Sequence, residues 1–153
     1  MNRRDYDKEV FNTLEKFKER SNCRRRKVAA ALVTSNREFI QYAVNDISEH
    51  EGVMKCVKDG CLREALDVPS GRNHELCHTI HAEQKAIIKL LEKGYSAQDA
   101  TLYITHSPCS MCVKFIILTG IKRVVYQNEY PDSIDKLKIA GIKCEKFIGG
   151  IDG

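Results

Sequence analysis

The chain has 153 residues, with 25 Lys+Arg against 21 Asp+Glu for a net charge of +4, 42% hydrophobic residues and no Trp. Those proportions describe one packed domain and exclude intrinsic disorder, collagen-like repeats and low-complexity tracts. The longest apolar runs, Val28 to Val33 and Phe115 to Leu118, fall far short of the roughly 18 residues of a membrane span, and the small positive surplus does not choose between nucleic acid and a small anion.

Asp5 to Arg20 sets Val10, Phe11, Leu14 and Phe17 at helical spacing between charged residues, which predicts an amphipathic helix packed on a sheet. The pair Arg3-Arg4 is followed by no apolar core, so the segment does not read as a secretory leader, and the chain is expected in the cytoplasm. Beyond the basic break Ser21 to Lys27, the apolar runs Val28 to Thr34 and Phe39 to Val44 flank a turn at Ser35-Asn36-Arg37-Glu38, the pattern of a β-hairpin. Asn45 to about Leu76 follows neither period.

Ala82 to Lys93 carries Ala82, Ala86, Ile87, Leu90 and Leu91 on one face and stops at Gly94, a helix with its C-terminal signal. Thr101 to Thr105 predicts a strand, Cys109 to Thr119 a helix closed by Gly120, and Lys122 to Tyr126 a second strand. Ser133 to Ala140 adds a short helix closed by Gly141, and Ile142 to Ile148 a last strand. Strand and helix alternate through this half, which implies parallel neighbours. The expected fold is a single three-layer α/β/α domain over residues 1–153, with a hairpin joined to a parallel half-sheet in a mixed sheet of about five strands.

Seven cysteines in a chain read as unexported point to thiols or metal ligands, since reducing compartments rarely keep disulfides and an odd number cannot all pair. Cys109 and Cys112 are three apart at a helix start, on one side of the helix, where free N–H groups favour thiolates. His81-Ala82-Glu83 opens the preceding helix. One His and two Cys leave a fourth tetrahedral position for water, as a catalytic zinc requires. Glu83 shares its face with Ile87 and Leu90, so its carboxylate belongs to a buried surface and suits a proton shuttle beside activated water. Two helical residues span about 200°, so His81 must lie at the start of the helix for both groups to converge. Taken singly, Cys-x-x-Cys also fits a redox pair or half a zinc ribbon, and His-x-Glu is frequent by chance.

Together the motifs form H-x-E…P-C-x-x-C, the signature of zinc deaminases of cytosine and adenine. The sequence resembles the zinc-dependent cytidine/deoxycytidylate deaminase superfamily over most of its length, and within it the dCMP deaminase branch. Cys23 to Ala30 resembles that branch's first-strand approach, and Thr101 to Cys109 its strand into the zinc loop. Val125-Tyr126, Tyr130 and Ala140-Gly141-Ile142 resemble its C-terminal pattern. The resemblance implies attack of activated water on C4 of a pyrimidine nucleotide to give dUMP and ammonia from dCMP, with His81, Cys109 and Cys112 as zinc ligands and Glu83 as the general acid/base.

It further implies a substrate contact at Asn45, the residue retained where relatives carry Gly-Tyr-Asn-Gly and this chain has Ala43-Val44-Asn45-Asp46. Arg26, in the run Arg24-Arg25-Arg26, is the candidate for the 5′-phosphate, against the alternative of a solvated basic face. His106, Tyr126 and Tyr130 are candidates for lining the nucleotide site, with a loop histidine and core or rim tyrosines as the alternatives. Cys23, Cys56, Cys61 and Cys77, with His74 or His78, are candidates for a second, structural zinc, against ordinary buried thiols; Cys144 is expected in the core. A homo-oligomer is expected, and nucleic acid is not expected as substrate because no basic and aromatic stripe tracks a strand. The other readings are a deaminase of cytidine, dCTP, guanine or transfer-RNA adenosine, or a non-catalytic zinc-binding module.

Overall fold

Asn2 starts the first helix, its side-chain oxygen accepting the Asp5 N–H at 2.9 Å and so satisfying a donor that a helix start leaves open. The computed structural model describes residues 2–21, 26–47, 66–67, 79–129 and 133–148. Helix α1 (Arg3–Phe17) runs into a 3-10 turn (Lys18–Arg20) and is followed by strands β1 (Ala29–Val33), β2 (Ile40–Val44), β3 (Asp46–Ile47) and β4 (Thr79–Ile80). Then come α2 (Ala82–Glu92), β5 (Thr101–His106), α3 (Ser110–Thr119), β6 (Arg123–Asn128), α4 (Ser133–Ile139) and β7 (Lys143–Lys146).

Five strands form one sheet in the order β2-β1-β5-β6-β7. β1 is antiparallel to both its neighbours, and β5, β6 and β7 are parallel, so the sheet is mixed as expected. Strand side chains alternate between faces, and each face has its own core. On one, Ala30, Leu32, Leu102, Ile104 and Val124 meet α2 through Ala86 and Leu90, α3 through Ile116 and α4 through Leu137. On the other, Ala31, Val33, Tyr103 and Val125 meet Val10, Phe11 and Leu14 of α1. Phe11 and Leu14 are completely buried, and such side chains contribute about 1.5–3 kcal/mol each. The three-layer α/β/α arrangement follows, and Cys144 packs against the first of these cores.

Three local features depart from the pattern reading. The β3–β4 ribbon, pairing Asp46 with Ile80 and Ile47 with Thr79, is too short to leave a period in the sequence. β1 begins at Ala29 because the Val28 N–H is taken by the Asn45 side chain at 2.8 Å. β7 covers four residues, shorter than the apolar span Ile142 to Ile148 suggests. Gly120 closes α3 at φ 84°, in the left-handed region, with the Gln98 side chain packed where a Cβ would lie. Among the described residues no helix is long and apolar enough to cross a membrane.

Candidate active site

The β3–β4 ribbon delivers the chain to His81, the N-cap of α2, whose backbone is extended at φ −68° and ψ 150°. Its N–H donates to Gln84 Oε1 at 3.1 Å, which pins the start of the helix. Because His81 stands outside the helical turn while Glu83 stands inside it, the two side chains converge, with His81 Nδ1 3.5 Å from Glu83 Oε1. The geometric condition read from the His-x-Glu spacing is met.

β5 ends at His106, and Ser107 and Pro108 lead to Cys109, the N-cap of α3. The Cys112 and Val113 N–H groups donate to the Cys109 carbonyl at 3.0 and 3.2 Å, so the first turn fixes both sulfurs on one side. His81 Nδ1 is 3.3 Å from each sulfur, and the sulfurs are 3.3 Å apart. Tetrahedral zinc with bonds of about 2.3 Å to sulfur and about 2.1 Å to nitrogen separates its donors by roughly 3.5–3.8 Å. The triangle needs to open by only a few tenths of an ångström, and its donor set suits zinc: two sulfurs and one imidazole nitrogen on helix starts.

Glu83 is buried at 4% exposure, with Oε1 3.1 Å from the Cys112 sulfur. The hydrogen bond with Cys112 holds the Cys109 thiol below its ordinary range, against the effect of burial and with help from His81. The same contact, with burial and the Glu83 carboxylate, pushes the Cys112 thiol up. A cation bound by His81, Cys109 and Cys112 would reverse the Cys112 effect, since metal ligation takes the thiolate form. Both cysteines are buried, whereas the His81 side chain keeps 16% of its surface, so the group opens to solvent on the histidine side.

Other candidate residues are distributed around this group. Asn45 is buried and braces the approach to β1: its Oδ1 accepts from the Ser21 hydroxyl at 2.5 Å and the Val28 N–H, and its Nδ2 donates to the Arg26 carbonyl at 2.7 Å. Arg26 and His106 are close enough that Arg26, with burial as the larger cause and Lys18 as a further one, holds the His106 imidazole down at about 4. Tyr126 is buried in the core beneath α3 and α4, and its hydroxyl donates to Glu129 Oε1 at 3.0 Å. Burial and Glu129 push that phenol up to about 12. Tyr130, Arg24, Arg25, His74, His78, Cys23, Cys56, Cys61 and Cys77 lie outside the described residues.

Sequence reasoning passed over the clamp that holds the loop between β5 and α3. Asn128 Nδ2 donates to the Thr105 carbonyl at 3.0 Å, the Ser107 N–H donates to the Asn128 carbonyl at 2.6 Å, and Ser133 donates to Ser107 at 3.3 Å. Thr105 Oγ1 also accepts the Ala29 N–H at 3.1 Å, tying the loop to β1. The available signal was position alone: polar residues just beyond the carboxyl ends of parallel strands, where α/β sheets place ligands.

A mixed α/β sheet carrying one imidazole and two thiols on helix starts, with a buried carboxylate against them, defines a protein built around a zinc centre. The family model for the cytidine and deoxycytidylate deaminase zinc-binding region matches residues 4–128, and the chain belongs to that family. It is 37% identical over 133 residues to the deoxycytidylate deaminase of Saccharomyces cerevisiae, covering 84% of this chain and 40% of the yeast protein. It is 34% identical over 130 residues to ComE operon protein 2 of Bacillus subtilis, covering 83% of this chain and 63% of that one. The chain thus spans less than two thirds of either relative. The crystal structure of the cyanophage S-TIM5 dCMP deaminase in complex with dCMP and dUMP is similar at a TM-score of 0.76 and 31% identity, over 96% of this chain and 99% of that one.

Proposed function

We propose that the protein hydrolyses dCMP to dUMP and ammonia at a zinc centre held by His81, Cys109 and Cys112. The observation that carries this reading is the triangle of His81 Nδ1 and the two sulfurs, each 3.3 Å from the others, with the Glu83 carboxylate 3.1 Å from the Cys112 sulfur and 3.5 Å from His81 Nδ1. The likeness to the phage dCMP deaminase bound to dCMP and dUMP supports the choice of substrate.

The chemistry zinc supplies in such a centre is acidification of water, from a pKa of 15.7 to about 7. Glu83 Oε1 takes the proton of the attacking water and delivers it to N3 of the pyrimidine. A second transfer by the same carboxylate reaches the departing amino group, so the C4–N bond breaks as the C4 carbonyl forms. The burial of Glu83 keeps bulk water from competing for that proton. Arg26 takes the 5′-phosphate through its guanidinium, Asn45 meets the sugar or base while bracing the Arg26 backbone, and His106 and Tyr130 are the remaining candidates for substrate contact, with Tyr126 supporting the site from the core.

Cys23, Cys56, Cys61 and Cys77 are assigned to a second, structural zinc. The protein acts in the cytoplasm, where thiols such as Cys109 and Cys112 stay reduced. It assembles as a homo-oligomer; the exposed apolar side chains Met111, Phe115 and Leu118, at i, i+4 and i+7 of α3, supply a surface suited to self-association.

The test is ammonia release by the zinc-loaded protein from dCMP, CMP, dCTP, deoxycytidine, cytidine, guanine and a transfer-RNA stem-loop. Turnover of dCMP far faster than of the others is the expected result. Faster turnover of another member of the panel would move the assignment within the family, and no turnover of any would favour a non-catalytic zinc-binding module.

A further inference from the structure

The starts of β5, β6 and β7 and the end of β1 meet at the edge of the sheet opposite the His–Cys–Cys group, since Val33 pairs with Thr101, Thr101 with Arg123 and Arg123 with Lys143. Five residues of strand, roughly 17 Å, separate Thr101 from His106. A cavity of about 330 Å³ opens here under the β1–β2 turn. Its walls carry the cations Arg3, Arg37, Lys122, Arg123 and Lys143, and no carboxylate among the described residues lines it.

The neighbouring ion pairs show which of these charges are already balanced. Glu145 is shared by Arg3, Arg123 and Lys143, and Asp7 is paired with Arg123. Asp7 and Glu145 are thus taken up by Arg3, Arg123 and Lys143, and Glu9 acts on Tyr6 alongside Arg37. Arg123 spends its guanidinium on Asp7, Glu145 and the Tyr103 hydroxyl. It contributes a fixed, buried charge and no new hydrogen bond. Arg37 and Lys122 have no ion pair among the described residues, and they stand on opposite sides of the mouth, one on the hairpin turn and one just before β6.

The backbone at Arg37 points the same way. Its φ of 60° lies in the left-handed region, where a turn ordinarily takes Gly or Asn. The side chain is laid over the Tyr6 ring at 3.9 Å to the guanidinium carbon, a stacking that leaves the guanidinium edge available for hydrogen bonding. Thr34, Ser35 and Thr101 add hydroxyl groups to the wall.

We propose that this cavity is a second binding site, distinct from the His–Cys–Cys centre, for a compact multiply charged phosphate: inorganic pyrophosphate or the phosphate tail of a larger metabolite. Arg37 and Lys122 grip the anion while Arg123 supplies field from beneath. The volume fits such a tail, lying at the small end of the range for ligand pockets.

The test is calorimetric titration of the zinc-loaded protein with inorganic pyrophosphate at constant ionic strength, with zinc content checked afterwards. Arg37→Gly, Lys122→Gln and the double variant are compared with Arg26→Ala, which reports phosphate taken at the other end of the sheet. Saturable binding that the double variant weakens by at least about tenfold, as loss of charge-assisted hydrogen bonds implies, and that Arg26→Ala leaves intact, supports the site. Arg37→Lys, which keeps the charge without the fork, falls between. Binding by the double variant less than about tenfold weaker than the parent's, equal weakening by Arg26→Ala, or no saturable binding by the parent overturns the proposal. A parallel titration with ATP separates the two sources: equal affinity means that the phosphates alone are recognised, and tighter binding means that the rest of the metabolite adds contacts. The hairpin turn and the residue before β6 are exposed, and unchanged thermal unfolding of each single variant confirms that the fold is kept.

Discussion

Glu83 Oε1 lies 3.1 Å from the Cys112 sulfur, although 29 residues separate them in the chain. A buried carboxylate against a buried thiol is unfavourable for the thiolate, and that contact is one cause of the raised Cys112 pKa. A divalent cation held by His81, Cys109 and Cys112 would turn the same contact to advantage, because it would supply the positive charge that these groups and Glu83 lack.

Glu83→Gln removes the proton carrier and keeps the shape of the pocket. Zinc content measured by atomic absorption should match the parent protein, while turnover of dCMP falls about 10²–10⁴-fold, the range for loss of a general acid/base. Loss of zinc together with activity would instead make Glu83 a structural support of the metal group.

Chelation or His81→Ala should strip the metal and lower thermal stability. A ligand present at about 100 times its dissociation constant stabilises the folded state by roughly 2.7 kcal/mol, so the midpoint of thermal unfolding should fall by several degrees for a chain of this size. Cys109→Ala and Cys112→Ala should behave alike, each releasing one zinc per chain; a second zinc that remains bound would belong to the Cys23, Cys56, Cys61 and Cys77 group.

His106 is neutral in the folded protein down to about pH 4, because burial and the Arg26 and Lys18 charges oppose its protonation. In the unfolded chain it protonates near 6.5. Between those values the unfolded state holds the extra proton, so stability falls as pH falls from about 6.5 towards about 4. Partial exposure of the ring reduces the effect to about 1–2 kcal/mol over that window. Urea unfolding at pH 7 and pH 5 should show a larger loss for the parent than for His106→Gln; equal losses would remove His106 as a source of acid sensitivity.

Arg123→Met breaks the buried pair beneath α1. Arg123 is 7% exposed, Asp7 is 6% exposed, and the Tyr103 hydroxyl donates to the same Asp7 carboxylate at 2.6 Å. Without the guanidinium, Asp7 becomes an uncompensated buried charge, and urea unfolding should show a loss of about 3–5 kcal/mol. Asp7→Asn combined with Arg123→Met should recover part of that loss, since the polar pair is then replaced on both sides.

Much of the molecule could be read locally. Helix α2 follows from the face Ala82, Ala86, Ile87 and Leu90, and the strand-helix alternation after Thr101 predicts the parallel half of the sheet, because period and stop signals act over a few residues. The Cys109–Cys112 spacing is local too, since one helical turn sets it. Asp7 looks like one more solvated charge of an amphipathic helix, and nothing within α1 reveals that Arg123, 116 positions later, draws it into the interior.

By itself, the sequence determined the order and type of most elements, the motif pair of the deaminase family and the residue types able to hold zinc, because short-range periodicity and helix starts specify these. Only the tertiary structure decided that His81 stands just outside its helix, that the Asn45 side chain is engaged with Ser21, Arg26 and Val28, and that five cations gather at the far edge of the sheet. Those facts depend on strand order and on which ends of β1, β5, β6 and β7 coincide, and that pairing is set by burying two apolar faces at once, not by any local run of residues.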